Sequence, residues 1–385
     1  MQYERVDLVV VGGGIMGSMT AWRAVQRGLK VALVEQFRPG HARGSSHGCG
    51  RIYRYNYPEA DYVRWMGGSF PLWHALEEEA GERLLFGCGC LDLALGPEGN
   101  AMLQACHEAM LSQDVQSEFL RDSELRARFP QFTPPPGVRS LYQSQGGVVA
   151  ADRALEAAWQ GVRRGEGRLF VDHRVERVDL EYDQPTVLAR GTAFRGQRLV
   201  LAGGPWAPRL LPELARALTP TRQQFALLRP EDEAMYRPDR FPALIVHDVE
   251  QPYYMLPIIG SEAVKIARHG GAPPADPEVV QANPDPKELE KLRGYLKHWL
   301  PGAYNAPIEG GKTCFYTETP DTDFVIGAHP AREDVVVLAG FSGHGFKFAP
   351  LVGQVAVELA FDRGTAWPVE RFSPTREALL KPVGR

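Results

Sequence analysis

Val6-Asp7-Leu8-Val9-Val10-Val11 runs straight into Gly12-Gly13-Gly14-Ile15-Met16-Gly17, and the reading of this stretch decides the fold. The first half is mostly apolar and rich in β-branched side chains, as in a parallel strand buried on both faces. The second half is a G-x-G-x-x-G. A helical pattern follows from Ser18 to Arg27, with Ala21, Trp22 and Val25 apolar, and Gly28 is placed to end it. Lys30 to Glu35 then reads as a second buried strand that ends in an acid.

Each glycine has a mechanical task. Gly12 makes the tight turn, Gly14 admits a pyrophosphate to the backbone, and Gly17 lets helix and strand pack closely. The helix N-terminus, around Ile15 and Met16, offers free N–H groups and partial positive charge to that pyrophosphate. Glu35, followed by Gln36, stands where a carboxylate accepts from a ribose hydroxyl. Strand, glycine turn, helix and acid together mean dinucleotide binding. They are compatible with FAD and with NAD(P) alike.

Outward from this unit, helices are expected over 57–81, 98–113, 122–129, 152–163, 285–299 and 345–359. Strands are expected over 168–171, 175–179, 198–204 and 334–339, and 219–269 is strand-rich. Cys88 and Cys90 are read as two buried thiols on one face of a strand.

The chain has 385 residues, room for two to three domains. Its 44% hydrophobic and 23% charged residues exclude disorder as the main state. A net charge of −4 makes no electrostatic case for nucleic acid or an anionic membrane as partner. Five cysteines cannot all pair, and no Cys/His cluster has zinc-site spacing, so no metal is expected. No leader pattern or apolar run of about 18 residues is present, so the expectation is a cytoplasmic enzyme with no membrane span.

Three later motifs carry a resemblance. Gly44-Ser45-Ser46-His47-Gly48-Cys49-Gly50-Arg51-Ile52-Tyr53-Arg54, then Thr313-Cys314-Phe315-Tyr316-Thr317, then Gly340-Phe341-Ser342-Gly343-His344-Gly345-Phe346-Lys347 resemble the monomeric sarcosine oxidase family in order and spacing. Gly203-Gly204-Pro205-Trp206 resembles that family's strand-end motif. The family includes N-methyltryptophan, pipecolate and fructosyl amino acid oxidases.

The resemblance implies an α/β fold. A Rossmann-like, glutathione-reductase-type FAD domain (1–81, 146–215 and 311–385) is interleaved with an α+β substrate domain on an antiparallel sheet (82–145 and 216–310). It implies FAD, bound covalently through Cys314 to the 8α carbon. It also implies cofactor contacts at Ser45, Ser46, Arg51, Val175, Gly203, Trp206, Gly343, Gly345 and Phe346. His47 is read either as a flavin contact or as a brace for its loop.

By resemblance Arg54 is the bidentate ligand of a substrate carboxylate, and Arg51 sits over the flavin ring. Lys347 pairs with Arg54 on the carboxylate and stabilises charge at the pyrimidine end of the flavin. Lys265, in an otherwise apolar strand, lies on the other flavin face and assists electron transfer to oxygen. Tyr254, His269 and Tyr316 line the pocket. Their other reading is core aromatics and a strand-end histidine. Ile245 and Leu256 stand where sarcosine-specific relatives carry Met and Phe, which puts sarcosine itself in doubt.

The implied reaction is oxidation of a secondary-amine amino acid of the N-methyl, sarcosine-like kind. Hydride passes to flavin N5, an imine forms and oxygen becomes hydrogen peroxide. No side-chain base is obligatory. Cyclic imino acids such as pipecolate or proline are the alternative substrates, with fructosyl amino acids third. Other readings are a dehydrogenase with a protein electron acceptor and a non-catalytic flavin module. The family expectation for assembly is a monomer.

Overall fold

The structure is a computed structural model that describes residues 2–247, 252–259, 263–279 and 283–380. Among these residues two eight-stranded sheets carry the fold, with a small three-stranded sheet beside them.

The first sheet is built outward from Gln2–Val11. This strand pairs in parallel with Thr192–Leu201 on one side and Val31–Val34 on the other. Arg168–Phe170 extends the sheet beyond Val31–Val34, and Arg332–Ala339 pairs in parallel with Thr192–Leu201. Parallel pairing needs crossovers and covered faces. The helices Ile15–Gln26, Ala151–Arg164 and Ala349–Phe361 supply them, and Leu8 to Val11 are buried accordingly. The first helix begins at Ile15, so the first turn is already closed beside the glycines. Gly17 shows why no side chain fits there: a Cβ would stand 1.9 Å from the Gly12 carbonyl oxygen.

The second sheet runs in the order Ile308–Glu318, Thr219–Leu228, Val264–Arg268, Tyr253–Leu256, Ala243–His247, Cys90–Ala94, Arg139–Gln143, Glu118–Leu120. Its pairs are antiparallel except Ala243–His247 with Cys90–Ala94. Side chains alternate strictly between its faces. Leu91, Leu93, Leu244, Val246, Tyr253, Met255, Val264 and Ile266 form one apolar face against Leu289, Leu292 and Leu296. The register gives the opposite face Asp92, Ile245, Tyr254, Ala267 and Phe225 across neighbouring strands.

Three expectations shift. Ile308–Glu318 hydrogen-bonds within the second sheet, so the boundary at 311 cuts through a strand that pairs with Thr219–Leu228. The helix expected over 285–299 ends at Gly294. Beyond it the chain tightens into three-residue hydrogen bonds, Leu296 to Arg293 and Trp299 to Leu296. Cys88 precedes its strand, which starts at Cys90, because Gly89 turns the chain at φ +73°. Both thiols are buried and all five cysteines are free.

Candidate active site

A cavity of about 330 Å3 is lined by residues of both large sheets. One end is the glycine turn, with Gly12, Gly14, Ile15, Met16, Glu35, Gln36, Ser45, Ser46, His47, Val175, Gly203 and Trp206. Gly12 has φ +103°, and a Cβ on it would stand 2.3 Å from the Ala202 carbonyl oxygen, so backbone itself forms the wall. Gly17 does not line the cavity; it packs beneath the turn, the task its position in the motif assigns it.

Glu35 accepts from Gly13 N–H at 2.7 Å and from Phe37 N–H at 2.8 Å. Burial pushes its carboxyl up from the ordinary value, against those N–H groups. Ser46 Oγ accepts from Ile15 N–H at 2.9 Å and so caps the first helix.

His47 lines the cavity, is buried, and has no hydrogen-bond partner at either ring nitrogen among the described residues. Burial first, then the charges of Arg51, Lys312 and Lys265, lower its pKa to about 3. A neutral imidazole with two unsatisfied nitrogens beside a glycine-walled cleft suits a bound polar ring system, because such atoms are costly to leave unpaired. The residues present therefore fit a flavin dinucleotide.

The other end is lined by Arg51, Arg54, Ile245, Tyr254, His269, Cys314, Tyr316, Gly343, Gly345, Phe346 and Lys347. Arg51 donates to the carbonyls of Gly50, Ser45 and His47 at 2.9, 2.7 and 2.8 Å, which pins the loop 44–50. Its guanidinium is 5.6 Å from the Phe346 ring centroid. Arg54 donates to the Asn56 carbonyl, stands 3.8 Å from Asp92 and lies 4.7 Å from the Tyr57 ring centroid. Burial works most strongly against its charge, but Asp92, then Tyr57, Cys90 and Cys106, together outweigh it and raise its pKa.

Lys347 is buried, with Nζ donating to the Tyr57 hydroxyl at 2.7 Å and the His344 carbonyl at 2.6 Å. Burial and the Arg54 charge hold it well below the ordinary lysine range. His269 is lowered to about 4 by burial, then by Arg54 and Lys347. Burial, then Tyr254 beside it, keeps the Tyr316 hydroxyl protonated well past the ordinary range.

Two expected pocket residues lie behind the wall. Lys265 shares the cavity-side face of the second sheet but does not line the cavity. Its Nζ is 3.4 Å from the Gly50 carbonyl oxygen and 4.5 and 5.4 Å from the Phe225 and Tyr254 ring centroids. The two rings come from the strands on either side of its own. Leu256 packs with Ile245 in the same wall without reaching the opening.

Sequence reasoning missed Asp92, His247, Tyr57 and His344. His247 and His344 line the cavity. Asp92 and Tyr57 contact residues that do. The signal for His247 was strand alternation from Ile245. Nothing local marks Asp92, since its partners lie on other elements.

The comparisons with known proteins agree with this geometry. The family model described as FAD dependent oxidoreductase matches residues 7–359. The chain is 31% identical to a monomeric sarcosine oxidase of Bacillus sp. (strain B-0618), over 97% of this chain and 96% of that protein. It is 30% identical to an N-methyl-L-tryptophan oxidase of Yersinia pestis (strain Pestoides F), over 96% and 99%. Among solved structures, NikD, described as an unusual amino acid oxidase essential for nikkomycin biosynthesis, has a TM-score of 0.82 at 25% identity, covering 96% of this chain and 98% of that one. An L-proline dehydrogenase from P. horikoshii shares the fold, with a TM-score of 0.87 at 23% identity over 96% and 97%. An FAD-dependent oxidoreductase fold, a cleft suited to a flavin dinucleotide and full-length likeness to amine-oxidising flavoenzymes converge: the chain belongs to the FAD dependent oxidoreductase family, within its monomeric sarcosine oxidase group.

Proposed function

We propose that this flavoenzyme oxidises secondary-amine amino acids of the N-methyl type, with cyclic imino acids as the second substrate class. The observation that carries the reading is the meeting of Arg54 and Lys347, from distant parts of the chain, with Tyr254, His269 and Tyr316 in the cavity that the glycine turn opens into. Buried cations are expensive unless an anion answers them; Arg54 has Asp92 at 3.8 Å, and an α-carboxylate would add the anion that Lys347 lacks. FAD, held along the glycine turn beside Glu35 and His47, would supply the hydride acceptor, with oxygen as the terminal acceptor and hydrogen peroxide as product.

The chain's residues do the rest. Arg54 and Lys347 hold the carboxylate, which fixes the position of the neighbouring amine carbon. The same cations disfavour a protonated amine, so the reactive neutral form is selected. His269, neutral at pH 7, and Tyr316, protonated, add no charge that would oppose this. The substrate domain supplies Tyr254 and His269, and the FAD domain the glycine turn.

Cys314 is proposed to hold the flavin as a thioether. Its support is position: a free, buried thiol on Ile308–Glu318 that lines the cavity two residues from Tyr316. Lys265, one layer behind, is proposed to favour electron delivery to oxygen. Unpaired cysteines suit the reducing cytoplasm. Among the described residues no helix is long and apolar enough to cross a membrane. The name of the monomeric relatives supports a monomer.

A panel of N-methyl and cyclic amino acids, mixed anaerobically with the holoenzyme, tests the reading. Substrates should bleach the flavin and, in air, release one peroxide per turnover. Bleaching without peroxide would favour a protein electron acceptor. No bleaching by any secondary amine would sink the proposal.

A further inference from the structure

Asp92 is fully buried and is shared by several groups. Its carboxylate accepts from Asn56 Nδ2, from His247 Nε2 at 2.7 Å and from the Cys90 thiol at 3.5 Å, and it stands 3.8 Å from Arg54. The parallel pairing of Cys90–Ala94 with Ala243–His247 creates this cluster: Asp92 sits beside Ile245, and His247 follows two residues on, on the same face. Both Ile245 and His247 line the cavity.

A carboxylate only accepts hydrogen bonds, so Nε2 of His247 must carry the hydrogen. In the neutral ring, Nδ1 is then a bare acceptor. It has no hydrogen-bond partner among the described residues.

Resting on the substrate class proposed above, we infer that His247 is a specificity-determining residue that accepts a hydrogen bond from an O–H or N–H on the substrate's side chain, with Asp92 as the residue that positions it. Once substrate excludes water, an acceptor left unpaired costs more than the bond contributes, so donor-bearing substrates are selected. The preference has a geometric origin: His247 lines the cavity beside the apolar Ile245, with Nε2 held by Asp92.

The test uses isosteric pairs on the holoenzyme. kcat/KM is measured for N-methyl-L-threonine against N-methyl-L-valine, and for N-methyl-L-serine against N-methyl-L-2-aminobutyrate. Binding of 3-hydroxybutyrate against 3-methylbutyrate is followed by perturbation of the flavin spectrum. Each hydroxyl member should be favoured by about tenfold in the wild type. The ratio should fall to near one in His247→Leu and largely survive in His247→Gln, whose amide N–H can serve Asp92 while its oxygen faces the cavity. Asp92→Asn should shrink the ratio and raise KM for every member, since it also loosens Arg54. Wild-type ratios near one in all pairs, or an unchanged ratio in His247→Leu, would overturn the inference. If no amine is turned over, the proposed reaction fails, while the two carboxylate ligands still decide the role of His247.

Discussion

Lys347 and Tyr57 meet inside the protein, with Nζ donating to the phenol oxygen over 2.7 Å and both side chains shut away from solvent. The same hydroxyl lies 3.1 Å from His344 Nδ1, so the lysine is held by a neutral network and, among the described residues, has no anion hydrogen-bonded to it. Burial and Arg54 accordingly lower its pKa far below the ordinary value.

An arriving carboxylate supplies the missing anion and raises that pKa again. Binding should therefore take up a proton across the window between the free and bound values. Affinity should fall about tenfold per pH unit as pH rises through that window. Titration calorimetry of a carboxylate inhibitor, run in buffers of different ionisation enthalpy, reads the proton directly. Up to one proton per site is expected in the wild type and none in Lys347→Met. Zero uptake in the wild type at every pH from 6 to 10 would contradict this account.

Cys314 should mark the cofactor permanently. Acid-precipitated wild-type protein should remain yellow, and Cys314→Ala should release its flavin to the supernatant. A colourless wild-type pellet would refute covalent attachment.

Lys265 should matter in one half-reaction only. It is buried one layer behind the cavity wall, against Phe225, Tyr254 and the Gly50 carbonyl, so it is not placed to touch substrate. In stopped-flow experiments Lys265→Met should slow reoxidation by oxygen by a factor of about 100 or more, a few kcal/mol of lost charge stabilisation. Reduction by substrate should change by less than about tenfold. Equal losses in the two phases would remove its assigned role.

The buried histidines predict a pH dependence of stability. His47 and His269 have folded-state pKa values lowered to about 3 and about 4, against an ordinary 6.5. Below about pH 6.5 the unfolded chain binds protons that the folded one refuses, so stability falls as pH drops from 7 to 5. The loss is roughly 1–2 kcal/mol per histidine. Glu35, raised by burial, works in the opposite direction nearer its own range. Urea midpoints should be lower at pH 5 than at pH 7, and His47→Gln/His269→Gln should flatten that difference. An equal slope in the double variant would show that other groups carry it.

Residues 6–35 were legible because their structure is set by short-range rules. A glycine at φ +103°, a helix that needs Gly17 to approach its strand, and an acid at the end of the next strand are all local in sequence. Arg51, Arg54 and Lys347 were legible for a related reason: they follow glycine-rich loops whose pattern is itself a signal, Arg51 opening a short strand and Lys347 lying in a 3-10 turn. The strand Ile308–Glu318 was harder to assign. Its residues do not reveal which sheet it joins, because that depends on pairing with Thr219–Leu228, some 90 positions earlier.

The chain's residues by themselves determined the dinucleotide-binding unit and the family, and pointed to the cations proposed to hold a carboxylate, since each is written in a contiguous motif. Only the tertiary structure decided that Lys265 lies behind the wall, that Lys347 rests on Tyr57, and that Asp92 joins Arg54 to His247. Those facts come from strand register and burial across distant segments. A one-residue change in register would turn His247 away from the cavity without altering a letter of the sequence.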